Sequence, residues 1–390
     1  MRRKPIYLDY AATTPLDPRA RTCMLPFFDE AYGNPASVHS WGQQAEAALE
    51  QSRARIAANL GCGTDEIVFT SGGSESDNLA LRGAAFAARQ GRSANHILIS
   101  PVEHPAVLET GRQLQQLHGF ELEFLPVDRF GRVEPGDLAE RLRPDTAVVS
   151  VIYGNNEIGS VNPISELGVL CRQQGIPFHT DALQAVAQLE LRVDELPVDL
   201  LSIGAHKFYG PKGVGALYVR RATPMIPIQT GGSHERGWRA GTSNVPLIVG
   251  MSEALEVVAE RRRTDIQDFG KLRDRIVDSV LGSVPGALLT GHPTERLPNH
   301  ASFVFEGVDS NQLLAALDLA GYACSSASAC KTGEPEPSEV LLAIGLDPRL
   351  ATSSLRVTVG RQTTSVEVEA FLTSLPEAVS RLRAIEPAFP

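Results

Sequence analysis

Short apolar, β-rich runs recur through the first 220 residues, and helical patterns follow several of them. IVFT (67–70) precedes SGGSESDNLALRGAAFAARQ, and HILIS (96–100) precedes a helical pattern from about Val107 to Leu117. TAVVSVIY (146–153) leads into NNEIG, and PFHT, ending at Thr180, leads into DALQAVAQ, whose composition predicts a helix. VDLLSI (198–203) and GALYVR (215–220) bracket HKFYGPKG. This alternation predicts an α/β fold: a mostly parallel sheet with helices on both faces. Ligands bind such sheets at the carboxyl ends of the strands, so the polar residues that end these runs are the first candidates for a site.

The pattern changes after residue ~220. Residues 229–244 (QTGGSHERGWRAGTSN) have no period and read as a loop. A long helical stretch follows, from about Leu247 to Leu281. Beyond it the chain reads α+β, with strands near 301–305 and 355–359 and helices near 310–320, 338–344 and 366–383. The boundary falls near 255–265. The expected division is a large domain of residues 15–258 and a smaller one formed by 1–14 and 259–390.

Composition narrows the function classes. Lys and Arg number 36 against 46 Asp and Glu, a formal charge of −10, which suits phosphate-backbone binding poorly, so no nucleic-acid partner is expected. The five cysteines are odd in number and sparse, unlike a secreted disulfide framework. MRRKPIYLDY lacks the apolar core of a signal peptide, and no run reaches the ~18 apolar residues of a membrane span. A cytoplasmic location and no membrane partner are the expectations.

Lys207 ends a strand within GAHKFYGPKGVGA, where it can be a surface lysine, a phosphate donor or a Schiff-base former. Lys212 is not followed by Ser or Thr, and a strand comes next, so neither a Walker nor a dinucleotide loop is present. Asp181 precedes Lys207 by about one helix plus one strand, which puts both at the ends of neighbouring strands. It can cap a helix, or pair with a pyridinium nitrogen. In SGGSESDN (71–78), Gly72 and Gly73 let the backbone approach an anion at a helix start, with the Ser74 hydroxyl beside it. Together these three elements outline one cofactor site. Cys330 lies in CSSASACKTGEPEPS (324–338), a loop by composition with Ser338 as the expected cap of the next helix. It reads as a buried inert thiol or as a nucleophile. A free thiol is mostly protonated at neutral pH, so the nucleophile needs activation, and Lys331 is the nearest cation in sequence. The Cys324–Cys330 spacing matches no ordinary zinc site, and no metal is expected.

These motifs resemble the cysteine desulfurases of the NifS/IscS type, within the class V aminotransferase fold. The likeness runs from YLDYAATTP (7–15) and YGNPAS (32–37) through TSGGSESDN, EHPAV, NNEIG, HTDALQ, AHKFYGPKG, HERGWRAGTSN and SSASACKTG to SSLRVTVGR (353–361). The resemblance implies a fold type I enzyme with pyridoxal 5'-phosphate bonded to Lys207, Asp181 on the pyridinium nitrogen and His104 stacked on the ring. It further implies Gln184 at the ring oxygen, and Gly73, Ser74 and His206 at the phosphate. Thr242 would reach the partner subunit's phosphate in a homodimer. Asn155 and Arg356 would hold the substrate carboxylate, a planar fork suiting that task.

By the same resemblance, L-cysteine would displace Lys207, which then takes the Cα proton. The Cys330 thiolate would attack the substrate sulfur, leaving a persulfide and releasing L-alanine. A sulfur-acceptor protein such as an iron–sulfur scaffold would receive the sulfur. Gly204 stands where many relatives have a serine at the phosphate, and Cys324 is extra relative to several of them. The chain stops at Pro390, soon after RLRAIEP, where some relatives continue into a scaffold-docking tail. SSASAC places the chain with the flexible-loop branch. Other pyridoxal-phosphate reactions remain as alternatives: selenocysteine lyase, cystine lyase or aminotransferase, none of which requires Cys330. A non-catalytic cofactor-binding protein is the alternative of another class.

Overall fold

The computed structural model describes residues 5–327 and 337–385. Its twelve strands are β1 (Ile6–Tyr7), β2 (Ile67–Thr70), β3 (His96–Ile99), β4 (Glu121–Phe124), β5 (Thr146–Ser150), β6 (Phe178–Asp181), β7 (Leu200–Gly204), β8 (Gly215–Val219), β9 (Ala287–Leu289), β10 (His300–Phe305), β11 (Tyr322–Ala323) and β12 (Ser354–Thr358). Seven form one sheet in the order β2-β8-β7-β6-β5-β3-β4, and β8 runs antiparallel to both its neighbours. The other pairings are parallel.

Adjacent residues in these strands serve different cores. Phe69, Leu98, Val149, Leu201 and Tyr218 face one apolar cluster, while Val68, Ile97, Val148, Leu200 and Leu217 face another. Side chains alternate across a strand, so burial of both neighbours means that both faces are covered. The helix Ser40–Leu60 covers the first face and the helices Gly73–Arg92 and Pro105–His118 cover the second.

A second body surrounds the antiparallel sheet β12-β10-β9. Its core unites Leu8 with Phe269, Phe303, Leu355 and Phe371, and β1 pairs with β11. The helix Val245–Ser283 serves both bodies. Ile248, Met251 and Leu255 pack on the large sheet's core, and Phe269, Ile276 and Val280 on the smaller one. Among the described residues no helix is long and apolar enough to cross a membrane.

One expected helix is absent. DALQAVAQ forms successive turns, with isolated i→i−4 bonds from the Val186 amide to the Ala182 carbonyl (2.9 Å) and from Leu189 to Ala185 (2.7 Å). Residues 181–188 are buried throughout, so no amphipathic face exists to favour a continuous helix.

Candidate active site

β6 ends at Asp181 and the parallel neighbour β7 ends at Gly204. A short 3₁₀ turn, Ala205–Lys207, carries the lysine back over the sheet end. Lys207 Nζ donates to the Ala11 and Ala12 carbonyls at 2.7 and 2.9 Å. Burial, reinforced by the Arg356 charge, lowers the ammonium to about 8, while Asp181 and Asp9 pull the other way. Asp181 is 3% exposed and accepts from the Leu183 amide at 2.9 Å. Burial raises its pKa, and His104 and Lys207 oppose that rise. Asp77 and Glu103 are buried nearby. Burial first, and the Asp181 charge second, push both well above the carboxylate range. Of the three carboxyl groups, Asp181 is the one that lines the cavity shared with Lys207.

His104 lies five residues past β3, as the N-cap of Pro105–His118. Its Nδ1 accepts from the Ala106 amide at 3.1 Å, so the neutral ring carries its proton on Nε2. Burial lowers its pKa. Lys207, Asp181, His104 and Gln184 line one cavity of about 270 Å³, with Arg356 at its wall. Gln184 donates to the Ala11 carbonyl at 2.8 Å.

A second cavity, of about 430 Å³, shares Ala12, Gly73, Ser74 and His206 with the first. It opens at the start of Gly73–Arg92, where amides lack helical partners. A Cβ at Gly73 would stand 2.1 Å from Leu183 Cδ2, so any side chain here would have to displace Leu183. A Cβ at Gly204 would stand 3.4 Å from the Gly73 amide nitrogen, which places Gly204 beside the same wall. His206 bonds Thr13 Oγ1 at 3.2 Å, and burial lowers its pKa to about 4, helped by Lys207 and Lys212. Lys212 lines this cavity, a role the sequence reading missed by testing it only against the Walker pattern. Glu75, also at the wall, pairs with Arg239 at 2.8 Å and so ties the glycine-rich loop to the helix start.

Arg356 projects from β12. Its Nη2 pairs with Asp9 Oδ1 at 2.9 Å and its Nη1 donates to the Asn156 carbonyl at 2.8 Å. Asn155 is buried in the turn after β5. Its Nδ2 donates to the Val102 carbonyl at 2.7 Å, and its Oδ1 accepts from the Glu157 and Ile158 amides at 2.8 and 2.9 Å. These bonds hold the turn, and the adjacent Asn156 lines the cavity. Thr242 is exposed and lines neither cavity.

Cys330 and Lys331 lie outside the described residues. On one flank, Ser325 pairs with Arg356 through backbone bonds of 2.7 and 3.3 Å. On the other, Ser338 caps Glu339–Ala343, as expected, and its hydroxyl bonds Glu157. Burial raises Glu157 to about 7. Cys324 is half-buried against the second core, and burial pushes its thiol pKa up.

A buried amine and a buried acid at neighbouring strand ends, beside an anion-binding helix start, define a pyridoxal-phosphate enzyme of fold type I. The buried strand-end acid and the helix start with free amides fit that cofactor's pyridine and phosphate ends. The chain belongs to the class-V aminotransferase family, whose model matches residues 6–371. It is 46% identical to the cysteine desulfurase IscS of Dictyoglomus turgidum over 99% of this chain and 97% of the relative. It is 42% identical to the human cysteine desulfurase over 98% and 84%, respectively. Among solved structures, a NifS-like protein superposes with a TM-score of 0.89 at 34% identity, covering 97% of this chain and 100% of that one. SspA in complex with cysteine superposes with a TM-score of 0.80 at 33% identity, covering 92% and 100%.

Proposed function

We infer that this protein is a pyridoxal-phosphate-dependent cysteine desulfurase, converting L-cysteine to L-alanine and passing the sulfur to Cys330 and then to an acceptor. The observation that carries the reading is one cavity lined by Lys207, Asp181, His104 and Arg356. What pyridoxal phosphate supplies when bound is an electron sink for the substrate's Cα.

The chain's residues do the rest. Lys207 Nζ would hold the cofactor and, when free, serve as the base. An amine lowered to about 8 is then partly neutral at physiological pH and takes the Cα proton. Asp181 keeps a proton on the ring nitrogen. His104, its proton on Nε2, stacks against the ring. Gln184 faces the ring oxygen. Gly73, Ser74 and His206 bind the phosphate, with Lys212 adding positive charge to the same cavity. Arg356 receives the substrate carboxylate beside Asn156. The Cys330 sulfur forms a bond to the substrate sulfur as the substrate's C–S bond breaks. The electron pair of that bond stays with the substrate carbon, which gains protons to become L-alanine.

The protein works as a homodimer, with Thr242 serving the partner's phosphate. Thr242 is exposed, and so are the large apolar residues Leu25, Phe28, Tyr32 and Trp41. The acceptor is an iron–sulfur scaffold or a related sulfur carrier. Free cysteines at 23, 62, 171 and 324 suit a reducing, cytoplasmic setting. Residues 15–258 act as the cofactor domain, and 1–14 with 259–390 as the domain bearing Cys330. The placement of Leu8 in the C-terminal core supports that division.

The test is Cys330→Ala. It keeps the yellow cofactor and loses sulfide release from L-cysteine; unchanged turnover refutes the assignment.

A further inference from the structure

The segment Asp9–Thr14 lies across the site, and its first residue has no part in the reaction above. Asp9 Oδ1 lies 2.9 Å from Arg356 Nη2, and both side chains are largely buried. The backbone around Asp9 is held on every side. Tyr7 Oη and the Ala12 amide both donate to the Asp9 carbonyl, at 2.9 and 3.1 Å. The Ala11 amide donates to Thr358 Oγ1 at 2.9 Å, and Asp9 bridges Thr358. Thr358 lies two residues beyond Arg356 on the same strand, so the two share a face. One segment therefore grips both, and the backbone that carries Asp9 is fixed beside Arg356.

A guanidinium has five N–H donors. Here one goes to Asp9 and one to the Asn156 carbonyl, while the buried Nε has no protein acceptor. The three remaining donors suffice for one carboxylate held through two bonds. The Arg356 charge is already matched by Asp9, so a second carboxylate on the ligand meets the Asp9 anion and gains no further balance from this pair.

We propose that Asp9 is a positioning and specificity residue: it fixes the Arg356 fork and restricts the site to amino acids with a single carboxylate. The proposal rests on the reading of Arg356 as the carboxylate receptor, and the experiment separates the two. Holoenzyme is titrated with L-alanine and with L-aspartate, neither of which carries sulfur, and binding is read from cofactor absorbance.

In Asp9→Asn the preference for L-alanine over L-aspartate falls about tenfold or more, because the like-charge clash is gone. In Asp9→Glu, which keeps the charge but displaces the fork, aspartate stays rejected. L-alanine then binds more weakly, and KM for L-cysteine rises with kcat retained. If Asp9→Asn fails to hold its cofactor, Asp9→Glu decides: unchanged L-alanine affinity overturns the proposal. An unchanged preference in a folded Asp9→Asn overturns it as well. Arg356→Lys is the control. Weakened L-alanine binding there, with an unmoved preference in Asp9→Asn, rejects Asp9's role alone. Unaltered L-alanine binding in Arg356→Lys rejects the receptor reading and the proposal together.

Discussion

Lys207 sits where its charge is disfavoured, and this has a measurable sign. In the cofactor-free chain the folded amine titrates near 8, below its ordinary 10.5. Between those values the unfolded state binds more protons, so stability rises with pH across that window. Below about 8 the amine is charged in both states and the burial cost is complete. Lys207→Met should therefore raise the thermal midpoint of the cofactor-free protein at pH 7, with the gain vanishing as pH approaches 10.5. In the loaded protein, Lys207→Ala should abolish the visible absorbance of the bound cofactor, and a surviving band would place the attachment elsewhere. Lys207 and Asp181 were legible in the sequence because a strand end in a parallel sheet points at the ligand side whatever the rest of the chain does. Asn155 and Asn156 were not separable. Which of two adjacent amides faces the cavity depends on the local turn, and here Val102 claims the first. The Asp9–Arg356 pair spans 347 positions, a separation that motif reading does not connect.

At the scale of elements, the anion cup depends on how closely the start of Gly73–Arg92 approaches the turns after β6. A methyl group at position 73 would overlap Leu183 Cδ2, at 2.1 Å. Overpacking of this kind costs typically ~1–3 kcal/mol. Gly73→Ala should weaken cofactor binding accordingly in a fluorescence titration, and adding Leu183→Ala should recover part of the loss. If the double variant is no better than the single one, steric contact is not the cause. The same turns show why sequence misjudged one element. DALQAVAQ has strong helix formers, but propensity is a weak prior, and complete burial of residues 181–188 overrides it. The helix Ser40–Leu60 escaped the reading for a related reason. No apolar β run introduces it, and attention to strand-then-helix alternation passes over a helix that precedes the first central strand.

On the scale of the whole molecule, the two bodies are joined by one continuous helix of 39 residues and by a buried pin near its middle. Arg361 pairs with Asp265 at 2.7 Å, and its guanidinium lies 4.2 Å from the Tyr209 ring centroid, two residues from Lys207. Arg361→Met strands a buried carboxylate. Arg261 remains 3.4 Å from Asp265, so the loss should fall toward the lower end of ~3–5 kcal/mol in urea unfolding. Assembly makes the last demand on the chain. Phe28 is 57% exposed, beside exposed Leu25, and Tyr32 packs on Trp41 with ring centroids 5.1 Å apart. Large apolar side chains this exposed are costly to leave in water and cheap to bury against a second copy of the chain. Phe28→Asp should therefore convert the homodimer proposed above to monomer in sedimentation velocity. If Thr242 serves the other subunit's phosphate, cofactor affinity must fall in the same variant, although Phe28 lines neither cavity. A monomeric variant that keeps full cofactor affinity would confine the phosphate site to a single chain, and Thr242 would then have no part in it.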